Sequence, residues 1–105
     1  IRTGIECLME LYGCTPEEVK KVYLAGGFGF YLNLSSAIKI GLIPKSFQDK
    51  VEVVGNSALR GAYEALGDLK WKEEAKKYAA GIQCCNLARL QGFQEKYLEE
   101  IAYII

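Results

Sequence analysis

Apolar residues in this chain recur at helical spacing near both ends and form short continuous runs between them. The helical spacing predicts helices, and the short runs predict strands. The helical spacing i, i+3, i+4, i+7 is met near the amino end by Ile5, Leu8, Met9 and Tyr12. A similar stripe near the carboxyl end predicts a final helix with core-facing residues Phe93, Tyr97, Ile101 and Ile104 or Ile105. Short apolar runs predict three strands, at 21–25, 51–54 and 82–87.

Polar residues and glycines indicate where the predicted helices begin and end. Gly13 fits the position that follows the end of the first helix. A Thr-Pro-Glu-Glu run at 15–18 predicts a capping box and a short helical turn. Further helix starts are predicted at polar residues before apolar runs: Asn33 or Ser35 for a helix to about Ile40, Asn56 for one to about Leu66, and Asp68 for one over 70–80.

The order strand, helix, strand over residues 21–54 predicts a parallel, right-handed crossover, so the fold class is α/β with short parallel strands and flanking helices. The predicted helix after Asn56 has one face of small residues, which are Ala58, Gly61, Ala62 and Ala65. A glycine inside a helix costs about 1 kcal/mol relative to alanine, so Gly61 needs a packing reason. We therefore predict that this face packs closely against the sheet.

The most distinctive stretch is the apolar run at 22–25, which ends in three glycines within four positions: Gly26, Gly27, Phe28 and Gly29. Such glycines permit a tight turn with positive φ, and they equally permit the backbone to approach a ligand closely. Both interpretations stay open from these residues alone, although ligands commonly sit at the carboxyl ends of parallel strands. The N–H groups near Asn56 and Ser57, at a predicted helix start, could face the phosphate of a ligand.

Three blocks of sequence carry a family resemblance. VYLAGGFG at 22–29, AIKIGLIP at 37–44 and VEVVGNSALRGA at 51–62 resemble the carboxy-terminal ATPase region of the reductive activators of corrinoid-dependent enzymes. That family belongs to the actin, sugar kinase and heat-shock-chaperone ATPase superfamily. The resemblance implies a partial ribonuclease H-like, actin-like ATPase subdomain, whose adenosine motif is an apolar strand that runs into Gly-Gly. The cofactor-binding residues that we expect are therefore Gly26, Gly27, Phe28 and Gly29, together with Asn56 and Ser57, whose helix start could face a phosphate or the adenosine. One departure is Asn33-Leu34, where an acidic residue and a proline are common.

The resemblance also implies a function for a longer parent protein. Such a parent uses ATP, with magnesium, to drive the reduction of a Co(II) corrinoid protein to Co(I), with electrons from an iron–sulfur cluster. The catalytic and magnesium-binding carboxylates and the phosphate loops come from earlier segments, and the cysteines here do not match the iron–sulfur spacing. We therefore expect residues 1–105 to be one domain, a C-terminal fragment that is not catalytic alone.

Two other hypotheses for the function remain open. The chain could belong to another ATPase of the superfamily, such as a 2-hydroxyacyl-CoA dehydratase activator or a sugar kinase. The aromatic residues after the double glycine and the later IGLIP block argue against that assignment. The chain could also be a non-enzymatic interaction module that kept the fold and lost the nucleotide.

The amino-acid composition excludes some kinds of catalysis and argues against some kinds of partner. Thirteen basic residues balance thirteen acidic ones, so we expect neither a nucleic-acid nor a membrane partner. There is no histidine, which excludes Ser/His/Asp and Cys/His catalysis and a Cys/His zinc site. The four cysteines are Cys7, Cys14, Cys84 and Cys85, for which we predict buried free thiols in a reducing, cytoplasmic compartment. Ligation of a metal cluster or a disulfide remains the alternative for them.

The resemblance also bears on the state of association. The superfamily core has a five-stranded sheet, and this chain corresponds to the part after the first three strands. A sheet that lacks strands on one side exposes an edge, so we predict a two-fold homodimer. The alternative is that the strand predicted at 82–87 and the last helix fold back over the gap.

Overall fold

A computed structural model describes residues 1–101 as two short parallel strands surrounded by helices, which confirms the α/β fold class. The helices are α1 (Arg2–Tyr12), α2 (Gly26–Tyr31), α3 (Leu34–Lys39), α4 (Ser57–Gly67), α5 (Leu69–Ala80) and α6 (Phe93–Glu100). The strands are β1 (Val22–Ala25) and β2 (Val51–Gly55). Short 3-10 helices cover Pro16–Glu18, Lys45–Phe47 and Leu87–Arg89.

The sheet consists of β1 and β2, paired in parallel as predicted. Val22 lies opposite Val51 and Ala25 lies opposite Gly55, with a shift of register after Leu24. The predicted third strand at 82–87 is wrong, because 82–86 has no regular structure and a 3-10 helix follows. Asn86 starts that 3-10 helix, since its side chain accepts a hydrogen bond from the Ala88 N–H at 3.1 Å.

The hydrophobic core is small and is centred on Ala37, Ile43 and Phe47, each at most 4% exposed. Partly buried apolar residues pack around it, namely Ile5, Met9, Val19, Val22, Leu24, Leu32, Leu34, Ile38, Leu42 and Val51. The apolar stripe predicted on α1 therefore reaches the core through only part of its length. Leu8 is 47% exposed and Tyr12 is 87% exposed.

The last helix packs against the first. Lys96 of α6 makes an ion pair with Glu10 of α1 at 2.6 Å, and the hydrogen bond to Glu10 raises the pKa of Lys96. Tyr97 is 48% exposed and Ile101 is 54% exposed, so the prediction of a core-facing stripe on α6 is wrong for these residues. The rest of that predicted stripe, at 104 and 105, lies outside the described residues.

Helices α4 and α5 form a hairpin in which no residue is buried. Their starts were predicted correctly, because Asn56 accepts a hydrogen bond from Leu59 N–H and Asp68 accepts from Trp71 N–H. The predicted packing of the small face on the sheet is wrong. α5 folds back after Asp68, so a Cβ on Gly61 would stand 3.5 Å from the Trp71 ring, and Ala62 is exposed.

The other predicted caps had mixed outcomes. Gly13 follows α1 in the left-handed conformation, with φ 85°, as predicted. Asn33 caps α3 by accepting a hydrogen bond from Ser36 N–H at 3.0 Å. The turn at Pro16–Glu18 forms, but Thr15 makes no side-chain capping bond.

The cysteines are free, but their surroundings differ from one another. Cys7 is buried and Cys14 is half-buried, whereas Cys84 and Cys85 are exposed. The prediction of burial is therefore wrong for the last two, because they lie in the irregular segment that replaces the predicted third strand. Over residues 1–101, no helix is both long and apolar enough to cross a lipid bilayer.

Candidate functional site

The carboxyl ends of β1 and β2 meet at one edge of the sheet. Because the strands are parallel and Ala25 pairs with Gly55, the segments that follow them start side by side. The first segment is α2 and the second is Asn56 with α4. The structure thus brings the two predicted groups of site residues, 26–29 and 56–57, to the same edge.

The glycine segment begins with the positive φ predicted for a tight turn, and it continues as a helix that the sequence did not predict. Gly26 has φ 89°, which allows the chain to turn directly out of β1, and Gly26–Tyr31 then follow as α2. Glycine is a poor helix former, so packing against the sheet must hold this short helix in place. Gly29 shows that packing, since it is buried and its Cβ would stand 3.3 Å from Leu24 Cβ.

Gly27 and Phe28 face outward. A Cβ on Gly27 would have nothing within 4 Å among the described residues, and its φ is not in the left-handed region. Phe28 is 75% exposed. These two residues therefore offer an accessible backbone and an uncovered aromatic ring beside the strand ends, which is a surface that a flat apolar group could contact.

Asn56 and Ser57 follow the neighbouring strand β2 and begin α4. The Asn56 side-chain oxygen is engaged in the cap at 3.0 Å from Leu59 N, so its amide NH₂ group is the part left to contact a ligand. Ser57 is exposed, and the first turn of α4 contains no acidic residue. The free N–H groups of this turn give the site its polar component.

Two residues that the sequence did not single out join the two halves of the site. The ring of Phe30 in α2 lies over Gly55, where a Cβ would meet it at 3.6 Å. Phe30 also makes an edge-on contact with Tyr31, with ring centroids 5.6 Å apart. Gly55, at φ 67°, is the turn that leads out of β2. The contact between Gly55 and Phe30 depends on the tertiary fold, so no local pattern in the sequence reveals it.

The site carries no charge of its own. The exposed Lys21–Glu52 ion pair, at 2.8 Å, lies toward the opposite end of the strands, and the hydrogen bond to Glu52 raises the pKa of Lys21. Within residues 1–101 no group of three or more metal-ligating side chains comes together. The exposed ring of Phe28 and the open backbone at Gly27 could contact a flat, aromatic part of a ligand.

Comparison with known proteins shows that this chain is a domain of the ASKHA superfamily, which also contains actin, sugar kinases and heat-shock chaperones. The whole chain, residues 1–105, matches the family described as the C-terminal domain of RACo, the ASKHA domain, and it belongs to that family. A curated relative is the "Corrinoid activation enzyme RamQ" of Eubacterium limosum, 39% identical over 62 residues. The match covers 59% of this chain and 10% of that protein. The chain therefore corresponds to a small part of its relative.

Proposed function

We propose that this chain is the adenosine-contacting part of an ATP-dependent activator that reduces Co(II) corrinoid proteins to Co(I). Membership of the RACo C-terminal family and the name of the RamQ relative support the link to corrinoid activation. In this proposal the whole protein works in the cytoplasm, obtains electrons from an iron–sulfur cluster elsewhere in its chain, and has a corrinoid protein as partner.

Gly27 is the observation that carries the proposal for the site. The fold accounts for Gly26 and Gly55 by their positive φ, and for Gly29 by its contact with Leu24. It does not account for Gly27, which has neither constraint among the described residues. A glycine in a helix costs about 1 kcal/mol relative to alanine. Gly67 is equally unconstrained, but it ends α4 far from the strand ends. Gly27 follows β1 at the edge where Asn56 follows β2, and this position supports a ligand that approaches the backbone here.

ATP bound here would supply binding energy and, through hydrolysis, the driving force for the redox step. Gly27 and Phe28 would lie against the adenosine, and the amide of Asn56 and the hydroxyl of Ser57 would donate hydrogen bonds to it. Gly26 and Gly29 would hold the backbone in place. The magnesium-binding groups and the phosphate loops would come from other segments of the protein, so this segment alone would not hydrolyse ATP.

Photoaffinity labelling of the full-length protein with an azidoadenosine triphosphate tests this assignment. Trypsin cleavage after Lys21, Lys39, Lys50 and Arg60 places the two halves of the site on peptides 22–39 and 51–60. We expect label on one or both peptides, and excess unlabelled ATP should prevent it. Label that ATP displaces only from other peptides would contradict the assignment.

The same full-length protein also distinguishes the proposed activator from the two other hypotheses. An interaction module that has lost the nucleotide would show no label that ATP displaces. Another ATPase of the superfamily would be labelled, but it would not form Co(I) when mixed with a corrinoid protein, a reductant and ATP. The proposed activator should form Co(I), followed by visible absorbance, and should do so faster with ATP than without it.

A further inference from the structure

Cys84 and Cys85 are adjacent, free and both exposed. They lie in the segment 82–86, which has neither helix nor strand and joins α5 to α6. Exposure makes both sulfur atoms accessible to small molecules, and no helix or strand in this segment holds the two side chains apart. Neither cysteine has a packing role in the described part of the chain.

We propose that Cys84 and Cys85 form a reversible dithiol site that reacts with low-molecular-weight disulfides. The thiolate of one cysteine attacks a sulfur of the small disulfide, so that a mixed disulfide forms and one small thiolate leaves. The thiolate of the second cysteine then attacks the sulfur of the first and expels the second small thiolate. The two cysteines lose two electrons and two protons, and the small disulfide is reduced to two thiols.

The product is a ring that contains the peptide bond between the two cysteines. Consecutive Cα atoms are about 3.8 Å apart across a trans peptide, below the range of about 4.4–6.8 Å usual for disulfide-linked residues. Such a bond is strained, and strained, exposed disulfides are the ones that reducing thiols open most readily. The site is therefore suited to reversible oxidation rather than to stapling the fold. Ring closure would also restrict the backbone between α5 and α6.

Oxidation of the full-length protein with glutathione disulfide, followed by peptide mass analysis, tests the proposal. Trypsin cleavage after Lys77 and Arg89 releases peptide 78–89, in which Cys84 and Cys85 are the two cysteines. We expect this peptide to lose the mass of two hydrogen atoms, to carry no glutathione, and to regain its original mass after treatment with dithiothreitol.

Variants with a single substitution show whether the second thiol expels the bound glutathione. In Cys84→Ser or Cys85→Ser the remaining cysteine has no neighbour to expel the glutathione, so the peptide should keep one glutathione. Both positions are exposed, so neither serine variant should disturb the fold. Glutathione that stays on the unsubstituted peptide, or a peptide that remains fully reduced, would overturn the proposal.

Discussion

The structure favours glycine at Gly41 but does not require it at Gly61. Gly41 has φ 82°, and a Cβ there would stand 3.3 Å from Arg2 Nη1, so both the backbone and its surroundings favour glycine. Gly61 lies within α4 with ordinary helical geometry, and a Cβ there would meet the Trp71 ring at 3.5 Å. That separation is an ordinary van der Waals contact, so this position tolerates a larger residue.

The same substitution should therefore have opposite effects at these two positions. Gly61→Ala should raise the free energy of unfolding by about 0.5–1 kcal/mol, because alanine is the better helix former. Gly41→Ala should lower it by about 1–2 kcal/mol, because a Cβ is strained in the left-handed region. Urea unfolding of both variants beside the unchanged chain measures the two effects. A destabilised Gly61→Ala would show that α5 does not leave this space beside α4.

At the scale of elements, local patterns predicted most of the helices and strands, and tertiary packing accounts for the exceptions. Asn56 and Asp68 cap helices as predicted because a cap depends on residues within a single turn. The segment 82–87 contains apolar residues but pairs with no strand, which propensity alone could not reveal. The helix at 26–31 was missed because glycine opposes a helix locally, whereas contact between Gly29 and Leu24 favours it.

The sequence likewise reveals only part of the candidate site. The residue types and their place after the strands are visible in the sequence, and parallel pairing brings them together. The roles of the individual glycines are not visible, because they depend on φ and on neighbours such as Leu24 and Phe30.

The unpaired edges of the two strands affect whether two copies of the chain associate. Within the described residues β1 and β2 pair only with each other, so each leaves one edge of backbone N–H and C=O groups unpaired. The alternative in which residues 82–87 and the last helix cover the gap is not supported, because 82–87 is not a strand and α6 packs on α1. A two-stranded sheet is marginal alone, so an edge favours pairing with a second copy.

We therefore predict that the isolated 105-residue chain forms a two-fold dimer. Light scattering or sedimentation at micromolar concentration should give about twice the monomer mass of 11.7 kDa. Tyr23→Lys, which adds a charge to β1 at a side chain 61% exposed, should shift the equilibrium toward the monomer. A chain that stays monomeric over the same concentrations would contradict the prediction.

The whole molecule is elongated, with principal extents of 48 × 31 × 23 Å. Its Cα radius of gyration is 16.1 Å, whereas a compact chain of this length would have about 13 Å. The α4–α5 hairpin explains part of the difference, because it has no buried residue. Apolar residues on this hairpin, such as Leu59, Leu66 and Leu69, are at least 67% exposed.

The most direct test of the proposed site is the affinity of the full-length protein for ATP after substitution of Gly27. Gly27→Val places a branched side chain where the described residues leave open space, so the fold should persist while the adenosine is kept away. Gly67→Val is the matched control, because Gly67 also has open space around it and lies at the far end of α4.

Calorimetric titration with ATP should show affinity at least about tenfold weaker for Gly27→Val, a loss of about 1.4 kcal/mol. The Gly67→Val control should bind ATP as the unchanged protein does. A folded Gly27→Val protein that binds ATP with unchanged affinity would contradict the placement of adenosine at the ends of β1 and β2.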